Sequence, residues 1–414
     1  MTTYEDASQM ILDNVSAMDE ERVPLQESLD RVLSEDIYAA MDLPQAPIAG
    51  PDGYALRADD IRDASRESPA LLKIVGSSRA GHPSAQMVEP GTAIRIMTGS
   101  IVPDGADCVV RFEDTDEPGD KNGPNRDNPE EVRVFVSGGV GGNIRPVGSN
   151  IQKGALMIPR GKTIGPSQIS ALASIGATDV SVIRRPVIAI IATGDELIKP
   201  GQALSPGKVY DSNSAAISAF VSSCGGIPKI IGIARDRKED LVSRIRAGLT
   251  ADAVITSGGV SKGDYDLLRI VLAEMGRLVF SRIRLGPGAS VAFGLIEDEL
   301  SRTVPVFSLS GPPIGCLVNL ETLVKSAILK MRGILQTAHA VEKATAVDSA
   351  SGFHFPFVRF ADLEKRGGEN RVTINLVDKA GPLAAIAEAN ALVILPEKTG
   401  IKTGDVVEVL PFGC

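Results

Sequence analysis

The segment AVITSGGVSKGDYDLLRIVLAEMG, Ala253–Gly276, decides the fold. A short apolar run reads as a buried strand. The glycines and serines after it read as a turn, and 264–276 as a helix. The same rhythm extends outward on both sides. Toward the N-terminus lie VIAIIATG (187–194), SNSAAISAFVSSCG (212–225), IPKIIGIAR (227–235) and KEDLVSRIRAGLT (238–250). Apolar strand runs alternating with helices of this length predict a parallel sheet covered on both faces. LETLVKSAILKMR (320–332) reads as its last helix.

The flanks have a different texture. Residues 3–19 place Ala7, Met10, Ile11, Val15 and Met18 on one helical face, and PLQESLDRVLSEDI (24–37) reads as a second helix leading into a strand. From 38 to 152 the pattern is β-rich: LLKIVGSS, TAIRIMTG, CVVRFED and VRVFVSG, interrupted at 114–131 by a polar, Pro/Gly-rich loop. PSQISALASIG is a helix ended by Gly176. Beyond Gly333 the strands HFPFVRFADL, NRVTINLV, ALVILPEK and DVVEVLPF predict a small all-β domain.

Composition narrows the function. The net charge of -9, with both signs dispersed, argues against a nucleic-acid partner, which needs a basic face. No apolar run reaches membrane-spanning length, and the acidic N-terminal stretch does not read as a secretory signal. Four separated cysteines favour a reduced, cytoplasmic setting. The three histidines have no metal-ligand spacing, so acid–base work falls to carboxylates.

In an open α/β sheet, ligands sit at the carboxyl ends of strands. Three such ends are chemically loaded here: Thr193-Gly194-Asp195-Glu196, Asp236, and Ser257-Gly258-Gly259 with Ser261 beyond it. The glycines allow close backbone approach and an anion nest of N–H groups, and the serines add donors. Asp264 and Asp266 cannot bind a phosphate directly but suit a divalent cation that does. Each piece alone also reads as an ordinary turn with a capping acid. Together they suggest a Mg²⁺-assisted phosphate site.

In order along the chain, DGYAL, IMTGSIVPDGADCVVRFED, GNIRPVG, IATGDELIKPG, VYDSN, ITSGGVSKGDYD, GPLAAIAEANALVILPE and GDVVEVLPF resemble the motifs of the molybdopterin molybdenumtransferase (MoeA) family, which includes the C-terminal domain of gephyrin. The resemblance implies a multidomain α/β and β protein. An extended linker domain would cover 20–37 and 153–180, an inserted β-rich domain 38–152, a three-layer α/β/α molybdopterin-binding domain 1–19 and 181–333, and a C-terminal β-barrel 334–414. It implies insertion of molybdate into adenylylated molybdopterin (molybdopterin-AMP) with release of AMP, assisted by Mg²⁺. A homodimer and a molybdopterin adenylyltransferase partner follow from the same likeness. Carried over by position, Asp52, Thr98, Glu196 and Asp236 would serve catalysis, with Asp52 and Thr98 supplied by the second subunit. Thr193, Gly194, Asp195, Ser257, Gly258, Gly259, Ser261 and Asp264 would bind the ligand, and Glu196, Asp264 and Asp266 the metal.

The departures are concentrated. Where the family has Lys-Pro-Gly-Lys-Pro, this chain has Gly286-Pro287-Gly288-Ala289-Ser290, without either lysine. Leu-Pro-Gly-Asn-Pro-Val-Ser becomes LSGPPIG at 309–315, Asn150 replaces an acid, and Pro51 precedes Asp52. Lost cations weaken an oxyanion pocket. Arg282 and Arg284, on one face if the segment is a strand, or Lys262, are the substitutes the sequence offers. Restoring lysines at 286 and 289 is expected to tighten oxyanion binding. The alternative reading is a divergent paralogue that binds a pterin or nucleotide without metal transfer, as a carrier, regulator or scaffold.

Overall fold

The computed structural model describes residues 1–117, 130–259, 267–334, 341–377 and 381–412. Ser261, Lys262, Asp264 and Asp266, and most of the polar loop expected at 114–131, lie outside the described residues. The chain divides into two compact units, residues 1–35 with 160–173 and 177–414, and residues 36–159 with 174–176.

A six-stranded sheet organises the larger unit, in the order Ile227–Ala234, Val187–Thr193, Ala253–Ser257, Thr303–Leu309, Ala292–Glu297 and Arg277–Phe280. The first four strands are parallel, as expected. The last two pairings are antiparallel, which the expectation of an all-parallel sheet missed. The reason is connection length. Residues 298–302 form a tight turn in which the Asp298 carboxylate accepts from the N–H groups of Leu300 and Arg302. A link so short joins only antiparallel neighbours.

Alternation along Val187–Thr193 sorts its side chains onto two faces. Ile188 and Ile190 join the helices Tyr4–Asp13 and Ser212–Ser223 in one buried cluster, while Ala189 and Ile191 join Lys238–Gly248 and Leu267–Met275 in another. The result is a three-layer α/β/α domain. The last helical stretch begins earlier than expected, with Pro313–Asn319, and passes through a π turn, Leu320–Val324, into Lys325–Met331.

The helix expected at 24–37 does not form. Residues Glu20–Pro24 and Val32–Leu33 are strands flanking Asp179–Ile183, with only a 3₁₀ turn, Leu25–Glu27, between them. The N–H groups of Asp30 and Leu33 donate to the carbonyls of Ile164 and Lys162, so this backbone is committed outside any helix. Asp30 adopts φ 60°, which a right-handed helix excludes. After 341, the strands Glu342–Ala346, Phe357–Arg366, Glu369–Thr373, Ala391–Leu395 and Val406–Pro411 close into a barrel.

The smaller unit carries a five-stranded sheet ordered Cys108–Arg111, Gly53–Leu56, Thr92–Ile96, Ala70–Ser78 and Glu131–Val134. Its packing explains DGYAL. A Cβ at Gly53 would stand 1.9 Å from the Val110 carbonyl oxygen, so only glycine fits there. Tyr54 is fully buried against Phe112, with ring centroids 5.5 Å apart, and its hydroxyl donates to Glu117. Cys108 and Cys316 are buried free thiols. Among the described residues, no helix is long and apolar enough to cross a membrane.

Candidate functional site

The carboxyl ends of the four parallel strands open into one cleft of about 1570 Å³ within the larger unit. Thr193, Gly194 and Glu196 line it from the first strand end, Asp236 from the second, Ser257, Gly258 and Gly259 from the third, and Ser310 and Gly311 from the fourth.

Glycine is required where these ends meet. Gly258 has φ 90°, and a Cβ there would lie 2.5 Å from the Thr193 carbonyl oxygen. This close approach lets the buried Thr193 hydroxyl donate to the Ser257 carbonyl at 3.1 Å, while the Gly258 N–H donates to Leu309 at 3.2 Å. Gly194, at φ 151°, leaves room for the Glu196 carboxylate, whose oxygen would stand 2.5 Å from a Cβ at 194.

The acids at the first two strand ends are cross-linked. The Asp195 N–H donates to the Asp236 carboxylate at 3.2 Å, and the Asp236 N–H donates to the Asp195 carboxylate at 3.4 Å. Arg235 then gathers the carbonyls of Gly194, Asp195 and Leu197 at 3.2, 3.3 and 3.2 Å. Lys208 donates to the Asp195 carbonyl at 2.6 Å. These two cations therefore fix the loop that presents Glu196. Sequence reasoning missed both, because their targets are backbone carbonyls rather than charged partners.

The opposite wall is the loop 286–290. Asn319, fully buried, donates to the Gly288 carbonyl at 2.9 Å and accepts from the Ser310 N–H at 3.2 Å. The Ser310 hydroxyl donates to the Ser290 carbonyl at 2.9 Å. Asn213, from the VYDSN segment, donates to the Gly311 carbonyl at 2.8 Å, and Asp211 caps its helix through the Ser214 N–H at 3.0 Å. Phe355 and Phe357 from the barrel complete this wall. Cys316 lies buried behind it. Burial, and then the charge of Asp211, push its thiol up to about 12, so it is no nucleophile at neutral pH.

Arg282 and Arg284 do not supply the missing charge. Their segment lies between strands rather than within one, and neither is among the described residues lining the cleft. Arg284 is paired with Glu397 at 2.6 Å. Among the described lining residues the charged groups are Glu196, Asp211, Asp236 and Lys238, and Lys238 is paired with Glu274 at 2.6 Å. No cluster of three or more metal-ligating side chains occurs among the described residues. In the smaller unit Asp52 and Thr98 do meet: the Asp52 carboxylate accepts from the Thr98 N–H at 2.6 Å and its hydroxyl at 2.8 Å.

Comparison with known proteins agrees along the whole chain. Residues 2–176 match the MoeA N-terminal region (domain I and II), 189–330 the probable molybdopterin binding domain, and 361–412 the MoeA C-terminal region (domain IV). The molybdopterin molybdenumtransferase of Staphylococcus aureus (strain COL) is 34% identical over 415 residues, covering 98% of this chain and 94% of the relative. That of Bacillus subtilis (strain 168) is 33% identical over 395 residues, covering 94% and 89%. The crystal structure of the molybdopterin biosynthesis moeA protein from Pyrococcus horikosii superposes with a TM-score of 0.85 at 30% identity, covering 100% of both chains. With its sheet-end cleft, closed barrel and strand-end motifs, this chain belongs to the MoeA family, the molybdopterin molybdenumtransferases.

Proposed function

We propose that the protein acts in molybdenum cofactor biosynthesis, as a transferase that inserts molybdate into adenylylated molybdopterin and releases AMP. The observation that carries this reading is the convergence of four strand ends, with Thr193, Gly194, Ser257, Gly258 and Gly259, on one cleft. Close-packed glycines and hydroxyls suit the phosphate part of such a ligand.

Mg²⁺ would supply charge neutralisation between the acidic strand ends and a phosphate. The oxygen donors of Glu196 and Asp236 fit a hard cation by type. Asp195 would hold Asp236 in place, and Arg235 and Lys208 would orient the Glu196 loop. In a homodimer, Asp52 and Thr98 would come from the second subunit, and a cytoplasmic adenylyltransferase would supply the ligand.

A second reading, a paralogue that binds the ligand without transferring metal, is favoured by one observation. The only cation among the described lining residues, Lys238, is already paired with Glu274. One experiment separates the two. Purified protein is given adenylylated molybdopterin, Mg²⁺ and molybdate, then scored for AMP release and for activation of an apo-molybdoenzyme. Ligand binding without either product establishes the paralogue.

A further inference from the structure

The wall at 286–290 is aromatic where it faces the cleft. Phe355 is 39% exposed and lines the cleft beside Phe357. A ring so exposed, just before the barrel strand Phe357–Arg366, forfeits hydrophobic burial. Phe357 stacks on Phe353 with centroids 3.9 Å apart and planes at 16°, and Phe355 lies 6.4 Å from Phe357. The Gly286 N–H donates to Pro356 at 3.0 Å, and the Val358 N–H donates back to Gly286 at 2.5 Å. These bonds clamp the loop to the strand on either side of Phe357. Gly286 provides the remaining space: a Cβ there would fall 2.5 Å from the Phe355 ring.

The rest of this wall, Pro287, Gly288, Ala289 and Ser290, is neutral, while the strand-end side of the cleft carries Glu196 and Asp236. A neutral aromatic face opposite a polar, hydroxyl-rich face suits a ligand with a flat ring at one end and phosphate at the other. We propose that Phe355 is a stacking platform for a fused heteroaromatic ring of the ligand. This rests on the transferase or ligand-binding reading above, and two rings in that ligand share the chemistry, the pterin and the adenine. Stacking of a base on an aromatic side chain is lost when the side chain becomes aliphatic and survives substitution by another aromatic.

The test uses the full chain with three probes: 6-hydroxymethylpterin, followed by its own fluorescence, and AMP and ribose 5-phosphate, followed by calorimetry. Phe355→Leu should weaken one ring-bearing probe about tenfold, Phe355→Tyr should retain it, and ribose 5-phosphate should bind equally to all three proteins. Loss of the pterin assigns that ring to the wall, and loss of AMP assigns adenine. The proposal is overturned if neither ring probe binds the unmutated protein. It is also overturned if Phe355→Leu leaves both affinities unchanged, or if it weakens ribose 5-phosphate as much as a ring probe. Circular dichroism and thermal melts confirm that each variant is folded. Release of AMP by the unmutated protein, with unchanged probe binding in Phe355→Leu, would sink this assignment and leave the transferase standing.

Discussion

Asp195 and Asp236 hold each other through reciprocal backbone bonds, N–H to carboxylate, of 3.2 and 3.4 Å. Only Asp236 also lines the cleft. Removing either side chain loosens the same pair of strand ends, but only the Asp236 removal would take away a ligand of the proposed Mg²⁺. In titrations with adenylylated molybdopterin, Asp236→Ala and Glu196→Gln should lose the Mg²⁺ enhancement of binding. Asp195→Ala should weaken affinity yet keep that enhancement. Equal affinity with Mg²⁺ and with chelator in the unmutated protein would rule the metal out of binding.

Gly258 and Gly311 give a matched pair of substitutions. Alanine at 258 would sit at φ 90° and 2.5 Å from the Thr193 carbonyl oxygen. Alanine at 311 would meet only the Gly258 Cα, at 3.4 Å. Gly258→Ala should cost about 1–3 kcal/mol of stability and abolish measurable nucleotide binding, whereas Gly311→Ala should be tolerated in both assays. Urea unfolding and calorimetry decide it, and a silent Gly258→Ala would refute the close-approach argument.

Asp252 supports the base of the central sheet. Its carboxylate takes two bonds of 2.6 Å from Arg184 and one of 2.8 Å from the Val187 N–H. Burial pushes the carboxyl up, but the Arg184 and Val187 hydrogen bonds outweigh it and hold it below the usual range. A depressed carboxyl stabilises the fold above its unfolded value, about 3.9, and that contribution vanishes as pH falls through the folded value. Asp252→Asn should therefore lose about 3 kcal/mol at neutral pH, and the gap in urea midpoint should begin to narrow below about pH 4 and close only beneath the lower, folded value. A difference that persists undiminished at pH 2 would contradict the ion pair.

Putting the missing lysines back displaces an aromatic ring. Gly286→Lys puts its Cβ 2.5 Å from the edge of the exposed Phe355 ring, so the ring must turn aside and the single variant should gain less molybdate affinity than a variant without the ring. Gly286→Lys with Phe355→Ala removes the obstruction, and with Ala289→Lys added it places two cations on the wall. Saturable molybdate binding, measured by equilibrium dialysis, should rise at least tenfold in the triple variant, since each charge-assisted bond contributes roughly 1.5–3 kcal/mol. Strong molybdate binding by the unmutated protein would show that another part of the molecule already supplies the charge.

Subunit complementation tests whether the site is shared between two subunits. Asp52→Ala and Asp236→Ala subunits, each inactive alone, should recover about a quarter of the activity when co-expressed, an order-of-magnitude figure for random pairing into C2 dimers. A monomer in sedimentation, active at every concentration, would end the two-subunit reading.

The α/β/α layering was legible because strand and helix periods are local properties. Ile188 and Ile190 face one way and Ala189 and Ile191 the other for reasons contained in seven residues. The strand-end motifs were legible too, since glycines at Gly194, Gly258 and Gly259 mark backbone that no side chain permits. What escaped was set by distant partners. Residues 24–37 have helical composition, yet the carbonyls of Ile164 and Lys162 draw their N–H groups into strand and turn geometry. Arg235 and Lys208 gave no signal because backbone carbonyls leave no trace in a sequence pattern. Phe355 gave none because its role depends on a glycine 69 positions earlier in the chain.

That dependence has an evolutionary reading. Bulk at 286 and an aromatic ring at 355 in its present place compete for the same space, which predicts that substitutions at the two positions are not additive. A mutational route between a wall with a long side chain at 286 and the present aromatic wall avoids the clash by passing through a form in which one position is small before the other grows. A ring in this position therefore goes with a small residue at 286. Relatives with glycine at 286 but no aromatic at 355 would record the intermediate step, and relatives with large residues at both positions should be missing unless the loop or the strand has moved.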